Sequence, residues 1–288
     1  RLISIDINRK IFGNEHPRIA IDLSSLADLY RLQDRYDEAI KISEEVLFID
    51  EKTIGKEHPE HANHLNNLAV IYNEQGKYKE ASEKMEEALK IDEKTIGKKH
   101  PEYANRLSNL ATIYYFQDRY DEAIKISEEV LSIDEKTIGK EHPDYAIHLN
   151  NLATLYKSQN RFKESIKKYE EVLPILERTI GKKHPTYAST LINLAGVYLI
   201  LENYEIAEKL IKKAKQIQER ILGKEHSQIA FSYAWLASLR INQKKYSEAI
   251  LLLEEALRML VKFLGENHPE TKTVKGNLEY CRNKMKGE

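Results

Sequence analysis

The chain has 288 residues, 41% of them hydrophobic and 32% charged, and its 45 basic side chains nearly cancel its 46 acidic ones. This balance gives no reason to expect a nucleic acid partner, because phosphates attract a basic face. The single cysteine, Cys281, excludes an internal disulfide framework and fits a reducing compartment, so we expect a cytoplasmic protein. No apolar run approaches the roughly 20 residues that cross a bilayer, so we expect no membrane span.

One short motif organises the whole chain. A glycine, two polar residues and, in most copies, His-Pro recur every 42 residues without an insertion or deletion. The glycines of the motif are Gly13, Gly55, Gly97, Gly139, Gly181, Gly223 and Gly265. A fixed period of this length indicates a repeat architecture in which each unit is one supersecondary element.

Each unit predicts two helices. Pro59 suits a first helical position, where its missing N–H has no partner in any case. Apolar residues then follow at helical spacing until Gly76 breaks the pattern. A second helix starts near Tyr78 and stops at Gly97, which is able to adopt the left-handed conformation that caps a helix.

The same register predicts how the chain is divided. Residues 1–13 align with the second helix of a truncated repeat, six 42-residue repeats run from about 17–265, and 269–286 align with a first helix without its partner. In this last helix, polar residues replace the usual apolar ones at three positions, namely Lys275, Glu279 and Arg282. A polar outer face is what an end cap requires, so we expect 269–286 to cap the C-terminus and the array to continue before residue 1.

The repeated residues carry a family resemblance over essentially the whole chain. The pattern L-x-x-L-A-x-x-Y, then G-x-Y-x-x-A, then A-L resembles the tetratricopeptide repeat, whose usual period is about 34 residues. The longer unit with L-N-N-L-A and I-G-K-x-H-P resembles the kinesin light chain class. The resemblance implies an all-α, right-handed superhelical solenoid of helix-turn-helix repeats over 1–288, with first helices lining a concave groove. The sixth unit departs from the pattern at Ser227, Trp235 and Arg240.

A small residue near the start of each first helix predicts close packing between neighbours. These residues are Ala20, Ala62, Ala104, Ala146, Ala188 and Ala230. Each hairpin is unable to bury its apolar stripe alone, so adjacent hairpins must stack and share a core. We expect a bulky side chain at Ala104 to disrupt the middle of the array.

A recurring asparagine is the main candidate for binding. Successive helical side chains rotate by about 100°, which places Asn67 away from the core residues Leu65 and Leu68. Its equivalents in the next three repeats are Asn109, Asn151 and Asn193. A side-chain amide offers both a donor and an acceptor, so these residues form either a ladder for the backbone of an extended peptide or hydrogen bonds between repeats. We favour the peptide ladder.

Specificity is assigned to variable positions on the same faces. Arg106, Tyr115, Phe116, Lys157 and Trp235 are the predicted specificity residues. Trp235 is the only tryptophan, and this residue type often anchors interfaces; its alternative role is to fill a gap in the solenoid. Kinesin light chains bind acidic, tryptophan-containing peptides through basic grooves, whereas this groove has few cations, which argues against the same ligand class.

Other signals are better explained by structure than by chemistry. The loop histidines recur once per repeat, too far apart to share an ion, and indicate a capping device. His61 and His64 share a helix face, but we expect no metal site or cofactor. No phosphate loop or nucleophile motif is present, so we predict no enzyme. We therefore expect an adaptor that binds a protein or peptide; the alternative is a regulatory domain acting on a fused or associated catalytic domain.

Overall fold

A computed structural model describes residues 2–287, with side chains from residue 5 onward. These residues are 82% helical and contain no strand. First and second helices of the repeats alternate along the chain, as the repeat pattern predicts. The all-α fold of repeated helix-turn-helix units is therefore confirmed.

The described helices number fourteen. The first helices of the repeats are α2 (Pro17–Arg31), α4 (Pro59–Glu74), α6 (Pro101–Phe116), α8 (Pro143–Ser158), α10 (Pro185–Ile200), α12 (Ser227–Asn242) and α14 (Pro269–Lys286). The second helices are α1 (Leu2–Phe12), α3 (Tyr36–Thr53), α5 (Tyr78–Thr95), α7 (Tyr120–Thr137), α9 (Phe162–Thr179), α11 (Tyr204–Leu222) and α13 (Tyr246–Leu264).

Every first helix begins with a histidine cap. In each case the ring Nδ1 accepts a hydrogen bond of 3.1 to 3.2 Å from the backbone N–H two residues later. The capping residues are His16, His58, His100, His142, His184, His226 and His268. This bond satisfies one of the backbone donors that a helix leaves unpaired at its start. The predicted capping role of the histidine series is confirmed.

Left-handed residues mark the turn inside each unit and the loop after it. The motif glycines have φ between 79° and 86°, which a side chain would strain. The turn between the two helices also requires positive φ, and Gly76 meets this requirement with φ 83°. Other repeats place a non-glycine residue there, namely Asp34, Asp118, Asn160, Glu202 and Lys244.

The helices form two compact units, one ending at Lys140 and one beginning at Glu141. Within each unit, a second helix packs against the first helix of its own repeat and against the first helix of the next. The six alanines near the helix starts are 0 to 1% exposed. Their predicted role in close helix packing agrees with this burial. That 1–288 forms a single continuous array stays a prediction.

The last helix is buried on one face only. Thr271, Val274, Leu278 and Cys281 of α14 are 0 to 4% exposed and pack towards α13. The polar residues at the three positions singled out from the sequence, Lys275, Glu279 and Arg282, are exposed. The outer face of α14 is therefore polar, as predicted.

Candidate functional site

The repeated asparagine lies outside the core in the compact unit that ends at Lys140. On α4, Leu65 and Leu68 are each 1% exposed, whereas Asn67 is exposed to solvent. The helical rotation that separates these side chains therefore leaves a polar face on the first helices.

An open cavity of about 430 Å³ lies beside Asn67. Its walls come from α2, α3 and α4, and its lining residues are Ser24, Ser25, Ala27, Asp28, Arg31, Ser43, Val46, His64, Asn67, Val70 and Ile71. Arg31 is held in place by Asp28 at 2.8 Å and by Glu74 at 2.7 Å. Its charge is therefore already balanced by two carboxylates.

The asparagine at the same position one repeat later is used differently. Asn109 donates from Nδ2 to Oδ1 of Asn66 at 3.0 Å, and Asn66 donates to Oδ1 of Asn67 at 3.3 Å. The amide of Asn109 therefore joins α6 to α4, which is the structural role that the sequence left as an alternative. Asn151 on α8 is half-buried and also interacts within the protein.

Arg106 is buried between helices, whereas the sequence analysis placed it on an exposed groove face. It is 5% exposed, its Nη1 forms an ion pair with Asp92 of α5, and its Nη2 donates to Asn63 of α4. Helical rotation within α6 alone did not show that α5 supplies a carboxylate beneath this position. The hydrogen bonds and the ion pair of the guanidinium therefore join neighbouring repeats.

The same junction carries a polar pair in several repeats, and sequence analysis missed it. In each pair the second residue follows the first by 14 positions, from one second helix to the next first helix. Four of these pairs are Asn8–Asp22 at 2.6 Å, Asp50–His64 at 2.7 Å, Asp92–Arg106, and Gln218–Ser232 at 2.7 Å. The sequence does contain a signal for these pairs, because polar residues recur 14 positions apart within stripes that are otherwise apolar.

Asp50 illustrates the electrostatics of these junctions. It is 1% exposed, and His61 also approaches it, at 3.3 Å. Burial opposes ionisation of the Asp50 carboxyl, but hydrogen bonds from His61 and His64 outweigh burial and lower its pKa. The two histidines that share a helix face thus serve one buried carboxylate.

Tyr115 and Phe116 belong to an aromatic cluster and do not line the cavity beside Asn67. The Phe116 ring is 46% exposed and stacks on Tyr78, with centroids 5.4 Å apart. Tyr115 meets Phe116 and Tyr120 edge-on, at 5.2 and 5.7 Å. The cluster therefore covers the turn between α6 and α7.

Lys157 is half-buried on α8. Within the described part of the chain it forms no ion pair. Burial lowers the pKa of its ammonium group.

A second open cavity, of about 340 Å³, brings Asn193 and Trp235 together. It lies among α10, α11 and α12 in the second unit. Its lining residues are Ser189, Ile192, Asn193, Gln218, Gln228, Phe231, Ser232 and Trp235. Two of the predicted site residues therefore share one cavity.

Trp235 has room in this cavity because of a glycine on the preceding first helix. A Cβ placed on Gly196 would lie 3.3 Å from Cη2 of Trp235. Threonines occupy this position in earlier repeats, as Thr112 and Thr154. The indole thus fills space that a threonine would take, and its remaining surface borders the cavity.

Metal-binding clusters and membrane-spanning helices are both absent from the described residues. No group of three or more histidine, cysteine, aspartate or glutamate side chains is arranged to hold a metal ion. Among the same residues, no helix combines the length and the apolar character that crossing a membrane requires.

Comparison with solved structures finds the same fold in several proteins. The nearly identical TPR-like repeats of a kinesin light chain from Podosopora anserina are 28% identical, with a TM-score of 0.61, over 72% of this chain and 98% of theirs. BtubC from P. vanneervenii is 20% identical, with a TM-score of 0.63, over 82% and 92%. The pilF protein of Pseudomonas aeruginosa is 18% identical, with a TM-score of 0.53, over 89% and 96%. The last two comparisons show the fold alone.

Family comparison covers most of the chain. No curated protein matches. The family model described as tetratricopeptide repeat matches residues 23–94, 60–136, 102–178 and 186–262. The resemblance seen in the repeat motif is confirmed, and the chain belongs to the tetratricopeptide repeat family.

Proposed function

We propose that this protein is an adaptor that binds a linear peptide segment of a partner protein on the exposed faces of its first helices. Tetratricopeptide repeat domains generally bind proteins and are typically non-catalytic scaffolds. The finer statement, that the ligand is a peptide and lies along these faces, is our inference.

The observation that carries the proposal is the placement of the two cavities. Each opens beside an asparagine at the same repeat position, Asn67 in the first unit and Asn193 in the second. Cavities of this size, with a few polar groups and an apolar wall, suit the side chains of a bound ligand. The asparagine amides supply a donor and an acceptor to a peptide backbone without reading its sequence.

Asn109 and Asn151 have a smaller share in this proposal than Asn67 and Asn193. The amide of Asn109 bonds Asn66, so replacing it would weaken the packing of α6 on α4 as well as any ligand contact. Tyr115, Phe116 and Lys157 remain proposed contacts at the edges of the face.

The test is a double variant, Asn67→Ala with Asn193→Ala. Peptides would be selected from a random dodecapeptide library on the parent chain and then measured by fluorescence anisotropy. We expect the double variant to bind the selected peptides at least about tenfold more weakly, since each lost hydrogen bond contributes about 1 kcal/mol. The thermal unfolding midpoint should stay close to that of the parent.

The matched control replaces two exposed asparagines in the loops, Asn14→Ala with Asn267→Ala. This variant should retain the affinity of the parent. Failure to select any peptide, or equal affinity of the parent and the Asn67/Asn193 variant, would refute the proposal.

A further inference from the structure

We infer that the cavity among α10, α11 and α12 is a pocket for an uncharged carboxamide side chain, glutamine or asparagine, of the bound peptide. This inference rests on the proposed function, because it names the chemistry of one residue in the peptide. It is carried by Gln218, Ser232 and Trp235.

Gln218 lies at the floor of the cavity, and its amide has a protein partner at the oxygen. Gln218 is 8% exposed, and its Oε1 accepts a hydrogen bond of 2.7 Å from Oγ of Ser232, itself 1% exposed. Among the described residues, no group accepts a hydrogen bond from Nε2 of Gln218. Solvent reaches Nε2 through the open cavity, so a ligand oxygen is able to replace water as its hydrogen-bond partner.

The polar residues at this junction differ from those at the equivalent junctions in the unit that ends at Lys140. Three and four periods earlier, the position of Gln218 holds Asp92 and Asp50, and the position of Ser232 holds Arg106 and His64. The long Arg106 side chain fills its junction and pairs with a carboxylate. Ser232 is short, so the space that an arginine would occupy stays open above the amide.

The lining excludes a charged ligand group. None of the eight lining residues carries a charge; five are amides or hydroxyls and three are apolar. A carboxylate or an ammonium group entering here would lose its hydration without gaining an ion pair. A purely aliphatic side chain would leave the Nε2 group of Gln218 unpaired.

A carboxamide satisfies both requirements. Its oxygen accepts from Nε2 of Gln218, and its N–H groups donate to Oγ of Ser232 or to the Asn193 amide oxygen. Its methylene groups pack between Phe231 and Trp235, which are each half-buried. Because a carboxamide carries both a donor and an acceptor, it pairs with the Gln218 amide in either orientation of that amide.

Trp235 provides a readout specific to this pocket. It is the only tryptophan in the chain, so the protein's tryptophan emission comes from the wall of this cavity. The probes are the dodecapeptides selected on the full 288-residue chain. We expect those that shift Trp235 emission to share a glutamine or an asparagine at one position, and replacement of that residue by leucine, glutamate or lysine to weaken binding at least about tenfold and to abolish the shift.

Variants of the protein give the reciprocal test. Gln218→Leu should weaken the same peptides at least about tenfold, and the fold should tolerate it because Leu176 and Leu260 occupy this position in other repeats. Ser232→Val, which places the residue type of Val274 here, should do the same by removing the hydroxyl from the floor. Gln216→Leu, exposed on the same helix, is the matched control and should bind as the parent does.

The outcomes separate this inference from the proposed function. If no peptide is selected, the proposed function fails and the inference falls with it. If peptides bind without shifting Trp235, without a carboxamide preference, or equally well to Gln218→Leu, the pocket assignment is overturned while peptide binding stands.

Discussion

Histidine caps the start of all seven first helices through the same hydrogen bond. The Nδ1 atom of histidine is attached to Cγ, as Oδ1 is in asparagine, so the neutral ring places an acceptor where an asparagine cap would place one. At His100 this acceptor lies 3.2 Å from the N–H of Glu102. The following Pro101 needs no partner at its nitrogen, so the two residues together settle the start of α6.

Two substitutions of His100 distinguish the contribution of the capping hydrogen bond from that of the imidazole ring. We expect His100→Ala to destabilise the protein by about 1 kcal/mol, because the Glu102 N–H loses its acceptor. His100→Asn should keep most of the stability, because it restores the acceptor without the imidazole. Thermal unfolding of the two variants checks this; equal losses in both would show that ring packing, rather than the hydrogen bond, is what matters.

At the scale of elements, side-chain bonds tie a first helix to the second helix of the preceding repeat. Tyr72 donates to Glu44 at 3.3 Å, and Tyr114 donates to Glu86 at 3.1 Å. In the sixth repeat, Arg240 replaces the tyrosine and forms an ion pair with Glu208 at 2.7 Å. Hydrogen bonds from Arg240 first, and from Lys212, lower the pKa of Glu208 to about 2.

This shift makes the α11–α12 contact sensitive to acid. A carboxyl whose pKa is lower in the folded state than in the unfolded state stabilises the fold above the unfolded pKa and loses that contribution as the pH falls towards the folded pKa. Glu208→Gln should therefore cost about 0.5–1 kcal/mol at pH 7, and the difference from the parent should shrink between about pH 4.5 and pH 2. Unfolding midpoints across this range measure it.

The control for this experiment is a carboxylate on the same helix with no link to α12. Among the described residues Glu205 pairs along α11, with Lys209, and both side chains are more than 70% exposed. Glu205→Gln should change the unfolding midpoint less at every pH. A Glu208→Gln penalty that stays constant with pH would show that the charge of Glu208 does not stabilise the contact.

The helices were predictable from the sequence because their boundary signals are local. Proline, histidine and glycine act within a few residues of themselves, so the start of α4 at Pro59 and the turn at Gly76 followed from the motif. Exposure of a side chain on one helix was also predictable from helical rotation, as at Asn67. These features need no knowledge of the neighbouring repeats.

The chemistry between helices was less predictable, because it depends on residues far apart in the chain. The burial of Arg106 needs Asp92 beneath it. The cavity beside Trp235 needs a glycine on α10 and a short Ser232 on α12, and neither signals a cavity by itself. Rotation around one helix axis identifies a face but not what the adjacent helix places against it.

At the scale of the whole molecule, the main helix contacts among the described residues of each compact unit join near neighbours along the chain. In both compact units the packing pairs are successive helices, with small contacts between α4 and α6 and between α8 and α10. Stability in such an arrangement is approximately a sum of repeat and nearest-neighbour terms. A local defect should therefore remain local.

Ala104→Leu tests this at a residue that is 0% exposed. The extra side chain has no space, so we expect a lower unfolding midpoint, corresponding to about 1–3 kcal/mol. Hydrogen exchange should accelerate in α5, α6 and α7 and remain at the level of the parent in α12 and α13. The measurement is mass spectrometry of peptic fragments.

Asn105→Leu, at the exposed neighbouring position, provides the comparison. It should leave both the midpoint and the exchange pattern nearly unchanged. An unchanged midpoint for Ala104→Leu would contradict the close packing at the helix starts, and uniform acceleration along the chain would contradict nearest-neighbour behaviour.

The pairs at the helix junctions also govern how such a chain is able to change its length during evolution. Removal of residues 51–92 preserves the 42-residue register and sets Asp50 against Arg106, so opposite charges still meet. A tandem duplication that joins α9 to a second copy of α6 keeps the register equally well but sets Leu176 against Arg106. A buried guanidinium without its carboxylate costs about 3–5 kcal/mol. Recombination between repeats is therefore tolerated where the two parental junctions match in charge, and selected against where only their lengths agree.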